Sequence, residues 1–128
     1  VTKLKIENFC PCSSGKIFTH CCKPFIAGIL IAPTAVTLMR SRYSAYTLGN
    51  PAYLQRTWHP TTRPKEIIQQ PCKWVGLSII SYHQEELCAT VEFVARFKVN
   101  GRAEKLHETS WFVFENKQWF YVDGDFLD

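Results

Sequence analysis

Two periodicities divide the chain. Between Thr34 and Gly49 apolar residues recur at Val36, Met39, Tyr43 and Tyr46, the spacing of one helical face, with Thr34 placed to cap the start and Gly49 to stop it. Asn50 followed by Pro51 predicts a second, shorter helix to about Thr57, because Asn caps well and Pro suits the first helical position. A further helical turn or two is predicted between Thr62 and Gln70, bounded by Pro64 and Pro71. From Trp74 onward the period falls to two and the residues become β-branched and aromatic, which predicts strands over 74–83, 87–99, 103–115 and 118–123.

Asn100-Gly101 lies between two alternating runs, the signature of a two-residue hairpin, and pairs Val99 with Arg102. This register puts Ala89, Val91, Phe93, Ala95, Phe97 and Val99 on one face, opposite Phe112, Ser110, Glu108, Leu106 and Glu104. The other face carries Glu92, Val94, Arg96 and Lys98 with Lys105, His107, Thr109 and Trp111. The first face is apolar and calls for a cover, which the helices supply. Helices followed by a curled antiparallel sheet make an α+β domain.

Composition narrows this picture. A chain of 128 residues with 46% hydrophobic and 20% charged residues holds enough apolar material for one core and excludes both two large domains and a disordered tail. Residues 1–24 lack either periodicity and form a small appendage to the domain at 25–128. The longest apolar run, Phe25 to Ala32, is too short to span a bilayer, and no signal peptide is visible, so a cytoplasmic protein without a membrane segment is expected. The net charge of +4 is uneven: residues 1–65 carry nine Lys or Arg against Glu7 alone, whereas residues 66–128 carry six against ten acidic residues. A basic first half points to an anionic partner.

The cysteines are equally uneven. Cys10-Pro11-Cys12 and Cys21-Cys22 form two close pairs eight residues apart, with Ser13-Ser14-Gly15-Lys16 as turn chemistry between them. Reduced thiols packed as small hydrophobes, a disulfide and an iron–sulfur cluster are the alternatives, but four bunched thiolates at this spacing favour tetrahedral zinc. Four protein ligands leave no open coordination position, so such a zinc ion holds structure and does not activate water. Cys72 and Cys88 stand alone among apolar neighbours and read as core thiols in preference to a redox pair.

The stretch Cys10-Pro-Cys12-Ser-Ser-Gly15-Lys16-Ile-Phe18-Thr-His20-Cys21-Cys22 resembles the SEC-C zinc motif, also found at the C-terminal tail of the SecA translocation ATPase, where it serves protein contacts. The motif usually has Gly where this chain has Ser13. Further along, Leu38 to Tyr46, Thr57-Trp58-His59-Pro60, Phe93 to Phe97, His107-Glu108 with Ser110 and Phe112, and Trp119 to Gly124 look like the bacterial YchJ-like family. That resemblance implies an NTF2-like cone, in which a helical layer closes one side of a bent sheet over a pocket, preceded by a knuckle with Cys10, Cys12, Cys21 and Cys22 as its metal ligands. It implies an architecture more than an activity.

Glu108 is the residue that the strand register singles out, because a carboxylate opposite Phe93 on an apolar face needs a partner or a purpose. Arg40, Arg42, Tyr43, Tyr46, Trp58 and His59 come from the covering helices as candidate pocket residues. One reading makes Glu108 or His59 a general base in a desolvated pocket that binds a small ligand, with Arg42 or a tyrosine holding an anion. The other makes Glu108 half of a buried Glu–Arg pair that fixes helix against sheet. No nucleophile elbow and no glycine-rich phosphate loop is present, and Asp123, Asp125 and Asp128 read as solvated. The functional expectation is therefore contact more than catalysis: a basic zinc knuckle that docks a protein or nucleic acid through Lys3, Lys5, Lys16, Phe18 and Lys23, carried on a pocketed cone. A small ligand in the cone is the alternative, and a homodimer through the exposed sheet face is a third class.

Overall fold

The computed structural model describes residues 8–69 and 71–127. Lys3 and Lys5, two of the candidate partner-binding residues, lie outside the described residues. A knuckle opens the described chain: an isolated bridge pairs Phe9 with Ile17, a single 3-10 turn follows at Phe18–His20, and a short helix α1 spans Lys23–Ile26. The long helix α2 runs over Ala35–Leu48 and α3 over Pro51–Arg56. Four antiparallel strands complete the chain, β1 at Lys73–Gln84, β2 at Cys88–Val99, β3 at Arg102–Glu115 and β4 at Gln118–Leu127, in that spatial order.

The helix ends are set by their caps. Thr34 Oγ1 accepts from Thr37 N at 3.1 Å, Gly49 closes α2 in the left-handed region at φ 69°, and Asn50 Oδ1 accepts from Tyr53 N at 3.1 Å with Pro51 opening α3. The predicted helical turns between Thr62 and Gln70 do not form: Thr62–Gln69 is irregular. Pro64 bars the helical conformation at Arg63, and the segment is tied down as a loop, with Gln55 Nε2 donating to Pro64 O and Lys65 O and Arg63 Nε donating to Trp58 O.

Asn100 and Gly101 take positive φ values of 52° and 81° and close the β2–β3 hairpin with Val99 opposite Arg102. Phe93 faces Glu108, Val91 faces Ser110 and Ala89 faces Phe112. The concave face is buried along Ala89, Val91, Phe93 and Ala95 and opens toward the hairpin, where Phe97 and Leu106 are half-buried and Glu104 is exposed, because the helices do not reach that far. Strand β4 continues to Leu127, past the predicted end at residue 123, since Gly124, Asp125 and Phe126 stay paired to Ser110, Thr109 and Glu108. Cys88 and Cys72 are not core thiols: Cys88 opens β2 on the outer face and is exposed, and Cys72 precedes β1 half-buried.

Each sheet edge is met at one place by a neighbouring segment, which takes up part of its free backbone groups. Along β4, His59 N donates to Tyr121 O at 2.7 Å and Tyr121 N donates to Thr57 O at 2.9 Å. Along β1, where the pairing shifts between Trp74 and Gly76, Leu77 N donates to Ser13 Oγ of the knuckle at 3.1 Å. Helix α2 is thus enclosed, with the sheet below and the knuckle and α3 around it; five consecutive residues, Ser41–Ala45, are buried.

Candidate functional site

The knuckle brings its four thiols together by turn chemistry. Cys10 N donates to Lys16 O at 2.8 Å and Phe18 N to Asn8 O at 2.7 Å, closing a small hairpin whose tip carries Cys10 and Cys12. Ser13 at φ 67° and Gly15 at φ 86° make the left-handed reversals that fold it back. Cys21 and Cys22 follow the 3-10 turn at the head of α1. All four Sγ atoms lie within 4.8 Å of one another, with Cys12 to Cys21 at 3.6 Å and Cys21 to Cys22 at 4.0 Å. A metal–sulfur bond of about 2.3 Å gives a regular tetrahedron with edges of about 3.8 Å, so the donor set fits a four-coordinate soft metal.

The surroundings match that chemistry. Arg40 Nη1 donates to Cys12 O at 2.8 Å and sits 3.9 Å from Cys12 Sγ, Cys10 Sγ is 3.4 Å from Ser44 Oγ, and Ser14 Oγ is 3.1 Å from Cys21 Sγ. These contacts orient the sulfurs as outer groups do around metal ligands. Among the thiols themselves, sulfur contacts with Cys10 and Cys22 draw Cys12 far below the ordinary thiol range, while contacts with Cys10 and Cys12 push Cys22 above it. Thiolates this close repel one another, and a bound dication would offset that repulsion. Cys10, Cys12 and Cys22 are buried and Cys21 is half-buried.

Arg40 therefore belongs to the knuckle and not to the cone pocket. Arg40 and Arg42 are two residues apart on one helix, about 200° around its axis, and cannot face one cavity. Of the candidate partner-binding residues, Lys16 and Lys23 are exposed with no carboxylate partner among the described residues, whereas Phe18 is half-buried against the core. Lys16, His20 and Arg40 share an open groove of about 680 Å³ with Cys21, flanked by Phe25, Leu30 and Val36.

Beneath α2 lies a second, smaller cavity of about 300 Å³, lined by Arg42, Tyr43, Tyr46 and Glu108 among others. Glu108 is 8% exposed, and its Oε2 accepts from Ser110 Oγ at 2.7 Å. Burial raises its carboxyl above the ordinary range, against the lowering effect of Ser110 and of Arg42. It is not paired with an arginine. Arg42 Nη1 instead donates to Leu54 O and Thr57 Oγ1, each at 2.7 Å, and its guanidinium lies 4.6 Å from the Tyr121 ring centre and 5.1 Å from that of Trp58. Trp58 acts on the cavity only through this stack. His59 is outside it: its segment runs along β4, its Nε2 meets Glu115 Oε1 at 3.2 Å, and its Nδ1 meets Thr61 Oγ1 at 2.7 Å. Sequence reasoning missed Tyr121 and Gly124. A Cβ on Gly124 would overlap Glu108 Oε2 and lie 2.7 Å from its Cδ, so the bare glycine is what lets the carboxylate settle there.

A bent four-stranded sheet covered by helices over a cavity, with a four-cysteine cluster docked on one edge, defines an NTF2-like α+β protein carrying a SEC-C-type metal knuckle. Residues 34–124 match the family model described as YchJ, middle NTF2-like domain, and the chain belongs to that family. A UPF0225 protein of Cupriavidus metallidurans is 50% identical over 124 residues, covering 91% of this chain and 87% of the relative, and one of Bordetella pertussis is 50% identical over 121 residues, covering 91% of each. Among solved structures, a SEC-C motif containing protein from Rhodopseudomonas palustris superposes with a TM-score of 0.85 at 31% identity, covering 93% of this chain and 98% of that one. One from Psychrobacter arcticus gives 0.78 at 30% identity, with coverages of 89% and 80%. Among the described residues no helix is long and apolar enough to cross a membrane.

Proposed function

We propose that the four cysteines hold a structural zinc ion and that the protein is a binding module whose knuckle docks an acidic, partly apolar segment of a partner protein. The single observation that carries this reading is the groove beside Cys21. It joins Lys16, His20 and Arg40 to Leu30 and Val36, no acidic residue among the described residues lines it, and Ile29, Leu30 and Ile31 stand exposed in succession beside it. Exposed apolar residues next to a few cations suit a peptide better than nucleic acid, which calls for a longer track of cations along its phosphates. Phe18, the aromatic available for stacking on a base, is turned into the core. When bound, zinc supplies four cross-links at fixed geometry; the side chains around it supply the contacts.

Two measurements test the reading. Native mass spectrometry is expected to find one zinc per chain, displaced by Cys10→Ser with Cys12→Ser. Affinity capture from the native cell is expected to yield a protein partner that survives nuclease treatment, weakens with salt, and is lost with Lys16→Glu and Lys23→Glu. Capture that is indifferent to salt and to both substitutions would reject the surface, and capture abolished by nuclease would assign it to nucleic acid.

A further inference from the structure

We propose that the cavity beneath α2 is a binding site for a small amine with a flat apolar body, its ammonium group received by Glu108. The carboxylate is the reason. It projects from an otherwise apolar sheet face, almost fully buried, and among the described residues no Lys, Arg or His nitrogen lies within salt-bridge distance of it. A buried carboxylate without a cation costs several kcal/mol, roughly, and an aliphatic side chain at the same place would cost nothing of the kind. Ser110 supplies a single hydrogen bond, to Oε2. Of the arginine that faces the same cavity, Nη1 is committed to Leu54 O and Thr57 Oγ1, and the guanidinium packs on two aromatic rings. Gly124 leaves the carboxylate room by having no side chain. The chain has thus made space for an anion and left one of its oxygens without a protein donor.

The walls define the rest of the guest. Tyr43, Tyr46, Trp74 and Phe93 surround the cavity with aromatic surface, which attracts a cation and accepts a planar ring. Its volume of about 300 Å³ suits a body of roughly ten non-hydrogen atoms. Ile68 and Phe126, 76% and 74% exposed, line its outer part from opposite sides and present apolar lips to solvent. Asp123 and Asp125 on β4 add to the negative field at Glu108, against Arg42. An anionic guest would meet the Glu108 carboxylate, and a neutral apolar one would leave it unpaired.

The test is a titration of the whole zinc-loaded chain, followed by amide and indole NMR shifts, with three probes of nearly equal shape: phenethylamine, 2-phenylethanol and 3-phenylpropanoate. The amine is expected to perturb Trp74, Phe93, Glu108 and Phe126 with a dissociation constant of about 0.1–1 mM. The alcohol should bind about tenfold more weakly and the acid more weakly still. In Glu108→Gln the amine should fall to the level of the alcohol. The proposal is overturned if the alcohol or the acid binds as well as the amine, if the amine leaves these residues unmoved at about 10 mM, or if Glu108→Gln keeps the preference. Should that variant fail to fold, the wild-type ranking of the three probes decides alone.

Discussion

The contact between Ser13 and β1 gives the sharpest quantitative prediction. Ser13 does two opposing things: it occupies the left-handed region at φ 67°, and its Oγ accepts the backbone N–H of buried Leu77 at 3.1 Å. Ser13→Ala keeps the backbone strain and removes the acceptor. The expected loss is about 1 kcal/mol, the net worth of a part-buried hydrogen bond whose donor water can reach once the hydroxyl is gone. Ser13→Gly removes the same acceptor but relieves a left-handed conformation that costs a non-glycine residue about 1–2 kcal/mol, part of which is returned as extra chain entropy in the unfolded state. Glycine should therefore recover about 1 kcal/mol relative to alanine. The assay is urea unfolding of the zinc-loaded protein in a non-thiol reductant, followed by tryptophan fluorescence. With a slope of about 2 kcal/mol per molar, a loss of about 1 kcal/mol lowers the midpoint by about 0.5 M. An unchanged midpoint for Ser13→Ala, or Ser13→Gly no more stable than Ser13→Ala, would refute the claim that this hydroxyl fastens the knuckle to the sheet.

Two further predictions concern the cavity. Gly124→Ala drives a methyl group into Glu108 and should cost about 1–3 kcal/mol; most of that cost should vanish in a Glu108→Ala background, and a double-mutant cycle showing independent effects would sink the assignment. Glu108 has its folded-state pKa raised, chiefly by burial, so the folded chain holds that proton more tightly than the unfolded one and the associated stability is complete below the ordinary value of 4.5. It is lost as pH rises through the folded value, so Glu108→Gln should gain on wild type from acid to neutral pH; a stability difference that is flat or shrinks over that range contradicts the burial argument.

Much of this architecture was legible because local rules and tertiary structure agree. Asn100-Gly101 dictated a hairpin register, and that register put Glu108 opposite Phe93 and on one face with Ser110. Thr34, Gly49, Asn50 and Pro51 marked the helix ends through cap chemistry that acts within a few residues. What escaped was set by contacts far apart in sequence. The periodic stripe through Met39, Tyr43 and Tyr46 captured only the sheet-facing side of α2, because the knuckle covers another side and turns Ser44 and Arg40 into contacts 34 and 28 residues away. Helical geometry held an unused signal there, since Arg40 and Ser44 are one turn apart and Arg40 and Arg42 are not on one face. His59 fell outside the cavity because its backbone is held by Tyr121, a pairing between a loop and a strand edge that no local pattern announces.

The same geometry explains why a metal knuckle belongs beside this cone. Helix α2 presents Arg42, Tyr43 and Tyr46 to the cavity and Arg40 and Ser44 to the cysteines, so the helix is held between two sets of polar contacts with the apolar sheet face beneath. A helix resting on apolar contacts alone can slide or rotate at modest cost, whereas directional contacts on opposite sides fix its azimuth. The knuckle reaches β1 as well, through Ser13 and Leu77, and β1 carries Trp74, which packs edge-on against Tyr43 with ring centres 5.8 Å apart. Two walls of the cavity are thus referred to one rigid cluster of four cysteines. On this reading a metal held by the four cysteines would have no reacting atom to act upon; what the knuckle bears on is Tyr43 and Trp74, two aromatic walls of the space that Glu108 closes from below.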